Sequence, residues 1–163
     1  MQGRFTRLWF NNVPLDQPGR YFYLRDRDSG DYWSASWQPV GKPLERCQAT
    51  CRHGTGYTVL NTRYDEVTAE TTYFVPLDRD YEVWLLAITN EGDRPRRLSV
   101  FSFIEYASEW APYHDQFNMQ YSQYIVRCEL VDGLIAQSMC HNLPEDPDNF
   151  QNRDQSRHTF LGV

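Results

Sequence analysis

The residues whose types and spacing hold the most chemistry lie between Glu105 and Gln120. Glu105, Glu109 and Asp115 gather around Trp110 and His114, and Asn118 and Gln120 follow within the same short stretch. Carboxyl groups beside an aromatic ring are the equipment of glycoside chemistry, in which an acid protonates the departing oxygen and a second group assists the nucleophile. The indole face suits the C–H side of a sugar, and the Asn and Gln amides supply paired donors and acceptors for hydroxyl groups. All these groups sit on one strand-to-loop segment. Their spacing therefore does not create the two-sided placement that an acid and a base require, and no residue is assigned a catalytic role. Three readings stay open: a solvated or hydrogen-bonded loop, core packing through Trp110 and Phe117, and a binding loop that serves a site built elsewhere. The binding reading sets Trp110, His114, Asp115, Asn118 and Gln120 against the sugar.

Other constellations carry less. Cys47-x-x-x-Cys51-Arg-His53, with Cys140-His141 as a distant second half, has the donor types of a zinc site but not the spacing of a standard knuckle, so no metal site is assigned. In a chain of this size, without an apolar export signal, the four cysteines read as free thiols. Cys128, alternating with Val126 and Leu130, reads as a small core hydrophobe. Trp33 and Trp37 lie four apart around Ser34-Ala-Ser36, which predicts a shared strand face packed in the core rather than an exposed sugar platform. Arg94, Arg96 and Arg97 could hold a phosphate, but a solvated hairpin end is the expected role. Arg52-His53-Gly54 offers either a ligand contact or a tight turn entering a strand. No Gly-rich nucleotide loop and no Gly-x-Ser-x-Gly elbow occurs, and no cofactor is expected.

The elements that must position these residues are short extended runs between turns. Tyr21–Leu24 and Tyr57–Tyr64 are rich in aromatic and β-branched residues, Asp65-Glu66 reads as a turn, and Val67–Val75 returns as the second arm of a hairpin. Tyr81–Thr89 and Arg97–Tyr106 flank a turn-rich segment, which predicts that they pair with each other. In the second of these runs Leu98, Val100, Ser102 and Ile104 share one face and Ser99, Phe101, Phe103 and Glu105 the other. Apolar groups on both faces predict a strand between two layers. Tyr121–Leu130 and Leu134–Cys140 flank Asp132-Gly133, a strong hairpin signal, and Arg157–Val163 reads as a further strand. No helical period is present. Seven to nine strands with frequent turns predict an all-β chain folded as an antiparallel β-sandwich.

Composition supports this class. The chain has 163 residues, 40% of them hydrophobic and 15% aromatic, enough for one real core. Its net charge of -6, with Lys42 as the sole lysine, makes nucleic acid and anionic membrane surfaces poor partners. No apolar run approaches the roughly 20 residues that span a bilayer. The expected localisation is cytoplasmic.

Several of these segments also carry a family resemblance. Asn12-Val-Pro-Leu-Asp16, Gly19–Asp26 and Asp31–Pro39 resemble the amino-terminal sandwich of glycoside hydrolase family 94, the cellobiose and cellodextrin phosphorylases. Trp37–Pro43, Cys51-Arg-His-Gly54 with Gly56-Tyr57, Phe74-Val-Pro76, Glu82-Val-Trp84, Phe101–Glu105 and Asn118–Ser122 follow in the same order as that region. The resemblance implies a fold of supersandwich type, with residues 1–163 a single sandwich domain that continues at both ends in the parent. It implies a homodimeric parent enzyme that cleaves a β-glucosidic disaccharide or oligosaccharide with inorganic phosphate as co-substrate, inverting the anomeric centre to give α-glucose 1-phosphate. The catalytic aspartate and phosphate-binding residues of that family lie in a following (α/α)6 barrel, which has no counterpart in these residues. In that family the sandwich supports the barrel and the dimer and one of its loops can approach the partner's active site, a part that the polar-aromatic content of Trp110–Gln120 suits. A free-standing carbohydrate-binding module and a structural sandwich without ligand are the alternatives.

Overall fold

The computed structural model describes residues 19–104, 126–139 and 157–162, and every regular element among them is a β-strand. All pairings are antiparallel, so the expected all-β class is what the chain adopts. The strands are β1 Arg20–Asp26, β2 Tyr32–Ser34, β3 Cys47–His53, β4 Tyr57–Tyr64, β5 Val67–Phe74, β6 Val83–Asn90, β7 Leu98–Ile104, β8 Val126–Val131, β9 Leu134–Met139 and β10 Arg157–Gly162. They fall in two compact units, one covering Gly19–Ile104 and the other containing β8 to β10.

In the first unit a four-stranded sheet of order β3-β4-β5-β6 faces a three-stranded sheet of order β2-β1-β7. The four-stranded sheet is a meander. Its central hairpin closes at Asp65 and Glu66, both left-handed at φ 48° and 62°, and such two-residue turns match the twist of the strands they join. On β5 the alternation of sequence becomes alternation of burial: Val67, Ala69, Thr71 and Tyr73 point inward, and Thr68, Glu70, Thr72 and Phe74 are half-buried on the other face. Leu24, Trp33 and Ala35 from one sheet meet Cys47, Tyr64, Val67 and Ala69 from the other. Trp33, only 1% exposed, tilts against the Tyr64 ring with centroids 5.3 Å apart. A second aromatic group closes the opposite end, where Trp84 meets Phe22 and Tyr73 edge-on at 5.9 Å.

Three expectations are corrected here. β6 and β7 do not pair; β6 bonds to β5 and β7 to β1, in different sheets. A β6–β7 hairpin would leave β1 with the three-residue β2 alone, whereas the crossover gives it a seven-residue partner and carries Leu98 onto the core. The crossover is fixed at both ends, by Glu91 N–H donating to Glu66 C=O and Arg27 N–H donating to Arg97 C=O, each at 2.8 Å. Secondly, among the described residues β7 is the edge of its sheet, and Val100 and Phe101, on opposite faces, are both exposed rather than enclosed. Thirdly, Trp33 and Trp37 do not share a strand. β2 ends at Ser34, and Trp37 packs on the core from a turn at φ 69°, a conformation unusual for a bulky side chain.

In the second unit the order is β10-β9-β8, and Asp132-Gly133 makes the expected hairpin with φ 50° and 82°. Leu130 is 77% exposed and Cys128 is exposed, which corrects the reading of Cys128 as a core residue. Among the described residues β8 is the edge of its sheet, and neither Cys128 nor Leu130 is buried there.

The placement of Trp33 sets the scale of the core. Trp33→Ala is expected to cost about 3–5 kcal/mol, because the cavity lies between two hydrogen-bonded sheets that cannot collapse onto it. Leu77→Ala, at a side chain that is 92% exposed, is expected to stay within about 0.5 kcal/mol. Urea unfolding of both variants checks the contrast.

Candidate functional site

Trp110, His114, Asp115, Asn118 and Gln120, the five residues set against a sugar by the sequence, lie outside the described residues, as do Glu105, Glu109, Cys140 and His141. The described residues instead show four polar and aromatic groupings.

The first overturns the expectation for the arginine cluster. Arg94 and Arg97 are solvated, but the Arg96 side chain is only 5% exposed. Its Nε donates to Asp26 Oδ2 at 3.0 Å, Nη2 to Asp65 Oδ2 at 2.6 Å, and Nη1 to the Asp65 carbonyl at 2.9 Å. Asp26 ends β1 and Asp65 opens the β4–β5 turn, so one guanidinium ties both sheets to the crossover that carries it. The Asp26 carboxylate also accepts from the backbone N–H groups of Asp28 and Ser29, at 2.7 and 3.0 Å, inside the turn that Gly30 completes at φ 77°. The Ser29 N–H, opposed by burial and joined by the Asp28 N–H and the Arg96 guanidinium, holds the Asp26 carboxyl at a pKa of about 2.

The second grouping pins the loop after β2. Trp37 Nε1 donates to the Lys42 carbonyl at 2.7 Å, and Lys42 Nζ reaches Asp31 Oδ1 at 2.5 Å. Tyr64 OH donates to Asp31 Oδ2 at 2.8 Å, and its ring lies under Lys42 and Arg46, whose charged ends are 5.2 and 5.4 Å from its centroid. Burial works to raise the Asp31 carboxyl pKa, but the bonds from Lys42, Tyr64 and the Tyr32 N–H outweigh it and hold it low. Cys47 lies beneath this group, where burial pushes its thiol up.

The third is aromatic. Alternation on β1 and β7 puts Tyr21, Tyr23, Phe101 and Phe103 on the face away from Leu24. Tyr21 stacks on Phe103 at 6.3 Å, Tyr23 meets Phe103 edge-on at 6.3 Å, and Phe101 is 53% exposed. The fourth lies at the end of the β3–β4 hairpin, where Cys51 Sγ is 3.2 Å from His53 Nε2 and His53 Nδ1 is 2.9 Å from Thr58 Oγ1. Among the described residues no group of three His, Cys, Asp or Glu side chains is placed to hold a metal ion.

Chemically, four carboxylates of this frame behave as fixed anions. Asp26, Asp28, Asp31 and Glu91 are all held below the ordinary carboxylate range. A glycosidic general acid needs the opposite, a carboxyl kept protonated near neutral pH. Asp26, Asp28, Asp31 and Glu91 are acceptors already committed to arginine, lysine, hydroxyl and backbone donors.

A family model described as "Glycosyl hydrolase 94, supersandwich domain" matches residues 1–163. The chain belongs to glycosyl hydrolase family 94. Within that family it is 39% identical over 163 residues to an N,N'-diacetylchitobiose phosphorylase of Vibrio proteolyticus, a match covering 93% of this chain and 20% of the relative. It is 35% identical over 113 residues to a solabiose phosphorylase of Paenibacillus borealis, covering 69% of this chain and 14% of the relative. The chain thus spans about a fifth of the length of the chitobiose phosphorylase it matches, and what it matches is a supersandwich.

The supersandwich's main polar anchor was hidden from sequence reasoning because Arg96 looks like its two solvated neighbours. The available signal was Asp26-Arg-Asp-Ser-Gly30, whose turn chemistry calls for a buried carboxylate and so for a distant cation. Arg96→Met is expected to cost about 3–5 kcal/mol, since it leaves the buried Asp26 charge without its cation, and Asp26→Asn added to it is expected to recover part of that loss. The Asp26 carboxyl is depressed in the folded state relative to 3.8, so its contribution is complete above that value and drains away as the pH falls towards about 2. Asp26→Asn should therefore be less stable than wild type at neutral pH and converge on it in strong acid, as followed by chemical denaturation across the acid range.

Proposed function

We propose that this supersandwich is part of a cytoplasmic, homodimeric phosphorylase of β-linked disaccharides, which uses inorganic phosphate to release a sugar 1-phosphate with inversion. The observation that carries this reading is the match of the supersandwich model along the whole chain, supported by relatives named as disaccharide phosphorylases at 39% and 35% identity. The lowered pKa of Asp26, Asp28, Asp31 and Glu91 suits none of these four to the part of general acid and accords with one supplied from elsewhere. In an inverting phosphorolysis one acid protonates the leaving oxygen while phosphate attacks the opposite face of the ring, so phosphate itself replaces the activated water.

In this reading the supersandwich positions a catalytic barrel and supports the dimer. The segment Trp110–Gln120 forms part of the sugar-binding wall, with Trp110 stacking and His114, Asp115, Asn118 and Gln120 bonding hydroxyl groups. The relatives name N,N'-diacetylchitobiose and solabiose, so the disaccharide extends beyond the cellobiose and cellodextrin class that the sequence resemblance suggests.

The complete gene product, incubated with phosphate and a panel of chitobiose, cellobiose and solabiose, is expected to form a sugar 1-phosphate from at least one of them. Sugar release without phosphate consumption would overturn the reading. Trp110→Ala and Asn118→Ala in that protein are expected to raise KM for the disaccharide or weaken the dimer while leaving the fold intact; unchanged kinetics and sedimentation would remove the segment from the site. Calorimetric titration of residues 1–163 with cello-oligosaccharides separates the alternatives, since tight binding by the chain alone is the property of a carbohydrate-binding module.

A further inference from the structure

Of the groupings above, the Cys51, His53 and Thr58 cluster is the one that the structural frame does not use. Its geometry follows from two simple rules. Residues two apart on a strand share a face, which places Cys51 and His53 together on β3. The antiparallel register then sets Thr58 of β4 directly opposite His53, and Leu60 opposite Cys51. The hairpin that fixes this register is tight: Gly54 N–H donates to Tyr57 C=O at 2.8 Å, and the Tyr57 ring lies where a side chain at Gly54 would have to go.

The result is a thiol, an imidazole and a hydroxyl in line. With the ring proton on Nδ1, His53 donates to Thr58 Oγ1 and leaves the Nε2 lone pair facing the Cys51 thiol, 3.2 Å away. A nucleophile, a base within reach and a third group that orients the base are the parts of an activated cysteine. Cys51 and His53 are both exposed and lie on β3, an edge strand, so a reagent in solution can reach the sulfur. The other described thiols differ. Cys47 is buried, and Cys128 is exposed but has no imidazole in contact among the described residues.

We propose that Cys51 is a reactive thiol, activated by His53 and Thr58, that takes up a low-molecular-weight disulfide of the glutathione class. In the step, the Cys51 proton passes to His53 Nε2 as the sulfur attacks one sulfur of the disulfide. A new sulfur–sulfur bond forms, the old one breaks, and the departing thiolate takes the proton back from the imidazolium. Cys51 is oxidised and the released thiol is the reduced product, so atoms and electrons balance without another reactant. The adduct stands on the open edge of the four-stranded sheet. This assignment is independent of the phosphorylase reading, because it uses none of the residues that reading sets against the sugar.

The test treats the full chain with oxidised glutathione and measures, by peptide mass at early times, the ratio of adduct at Cys51 to adduct at Cys128. Wild type is expected to favour Cys51 by about tenfold or more, His53→Asn to bring the ratio close to one, and Thr58→Val to lower it by about threefold. Urea-unfolded wild type, in which the cluster is dismantled, is expected to show no preference. A ratio near one in the folded wild type would overturn the proposal, as would a ratio that His53→Asn leaves unchanged in a variant with a cooperative melt. If that variant does not fold, the Thr58→Val ratio decides alone.

Discussion

The buried guanidinium of Arg96 is the constraint on which the first unit depends. A sandwich needs two sheets held in one register, and hydrophobic burial alone is indifferent to small slides of one sheet over the other. Directed bonds from Arg96 to Asp26 and Asp65 remove that freedom, since each bond has a preferred length and angle. The Asp26 carboxylate is tolerated in the interior because both of its oxygens have donors, the Asp28 and Ser29 amides on one and the Arg96 guanidinium on the other, while Asp65 keeps part of its carboxylate in water. From this anchor the rest follows in order. Asp26 ends β1, the Asp65 turn starts β5, and the crossover bearing Arg96 delivers β7 to its place beside β1.

Much of this was legible in the residues. β5 shows why: it is a central strand, buried on one face, and Val67-x-Ala69-x-Thr71-x-Tyr73 records that burial as strict alternation. The Asp65-Glu66 and Asp132-Gly133 turns were legible because a two-residue connection restricts the backbone so strongly. β3 was not, since an edge strand with six of its seven residues exposed carries no apolar period, and Cys47-Gln-Ala-Thr-Cys-Arg-His53 reads as a motif rather than a strand. The misassigned β6–β7 pairing has a different cause. A turn-rich connection indicates a change of direction but not which sheet receives the next strand. For the site, sequence pointed to Trp110–Gln120, while the clusters at Arg96 and Cys51 arise from contacts between residues distant in the chain or across a hairpin.

The chemistry of the described strands is that of a frame. Its least exposed cations are held by carboxylates or aromatic rings, with Arg20 on Glu82 and the Tyr73 face, Lys42 on Asp31 and Tyr64, and Arg96 on two acids. The Tyr73 hydroxyl, pushed up to about 12 by burial, is a proton holder of no use near neutrality. In this family 94 supersandwich these three cations serve the fold, each tying strands or loops together across the first unit.

The placement of β7 also sets an order of assembly. The four-stranded sheet is built from neighbouring hairpins, so its contacts close short loops and can form as soon as each arm is made. The three-stranded sheet cannot. Arg96 and Asp26 are 70 residues apart, and β1 finds its long partner only after the entire meander has been synthesised. The earliest of the described strands to leave the ribosome is thus the last to be enclosed, and Phe22 and Leu24 must wait in solution for β7 to arrive. A nascent chain with this topology exposes that apolar strand until β7 has been made, which makes β1 the natural point of contact for holding factors and, in their absence, for aggregation.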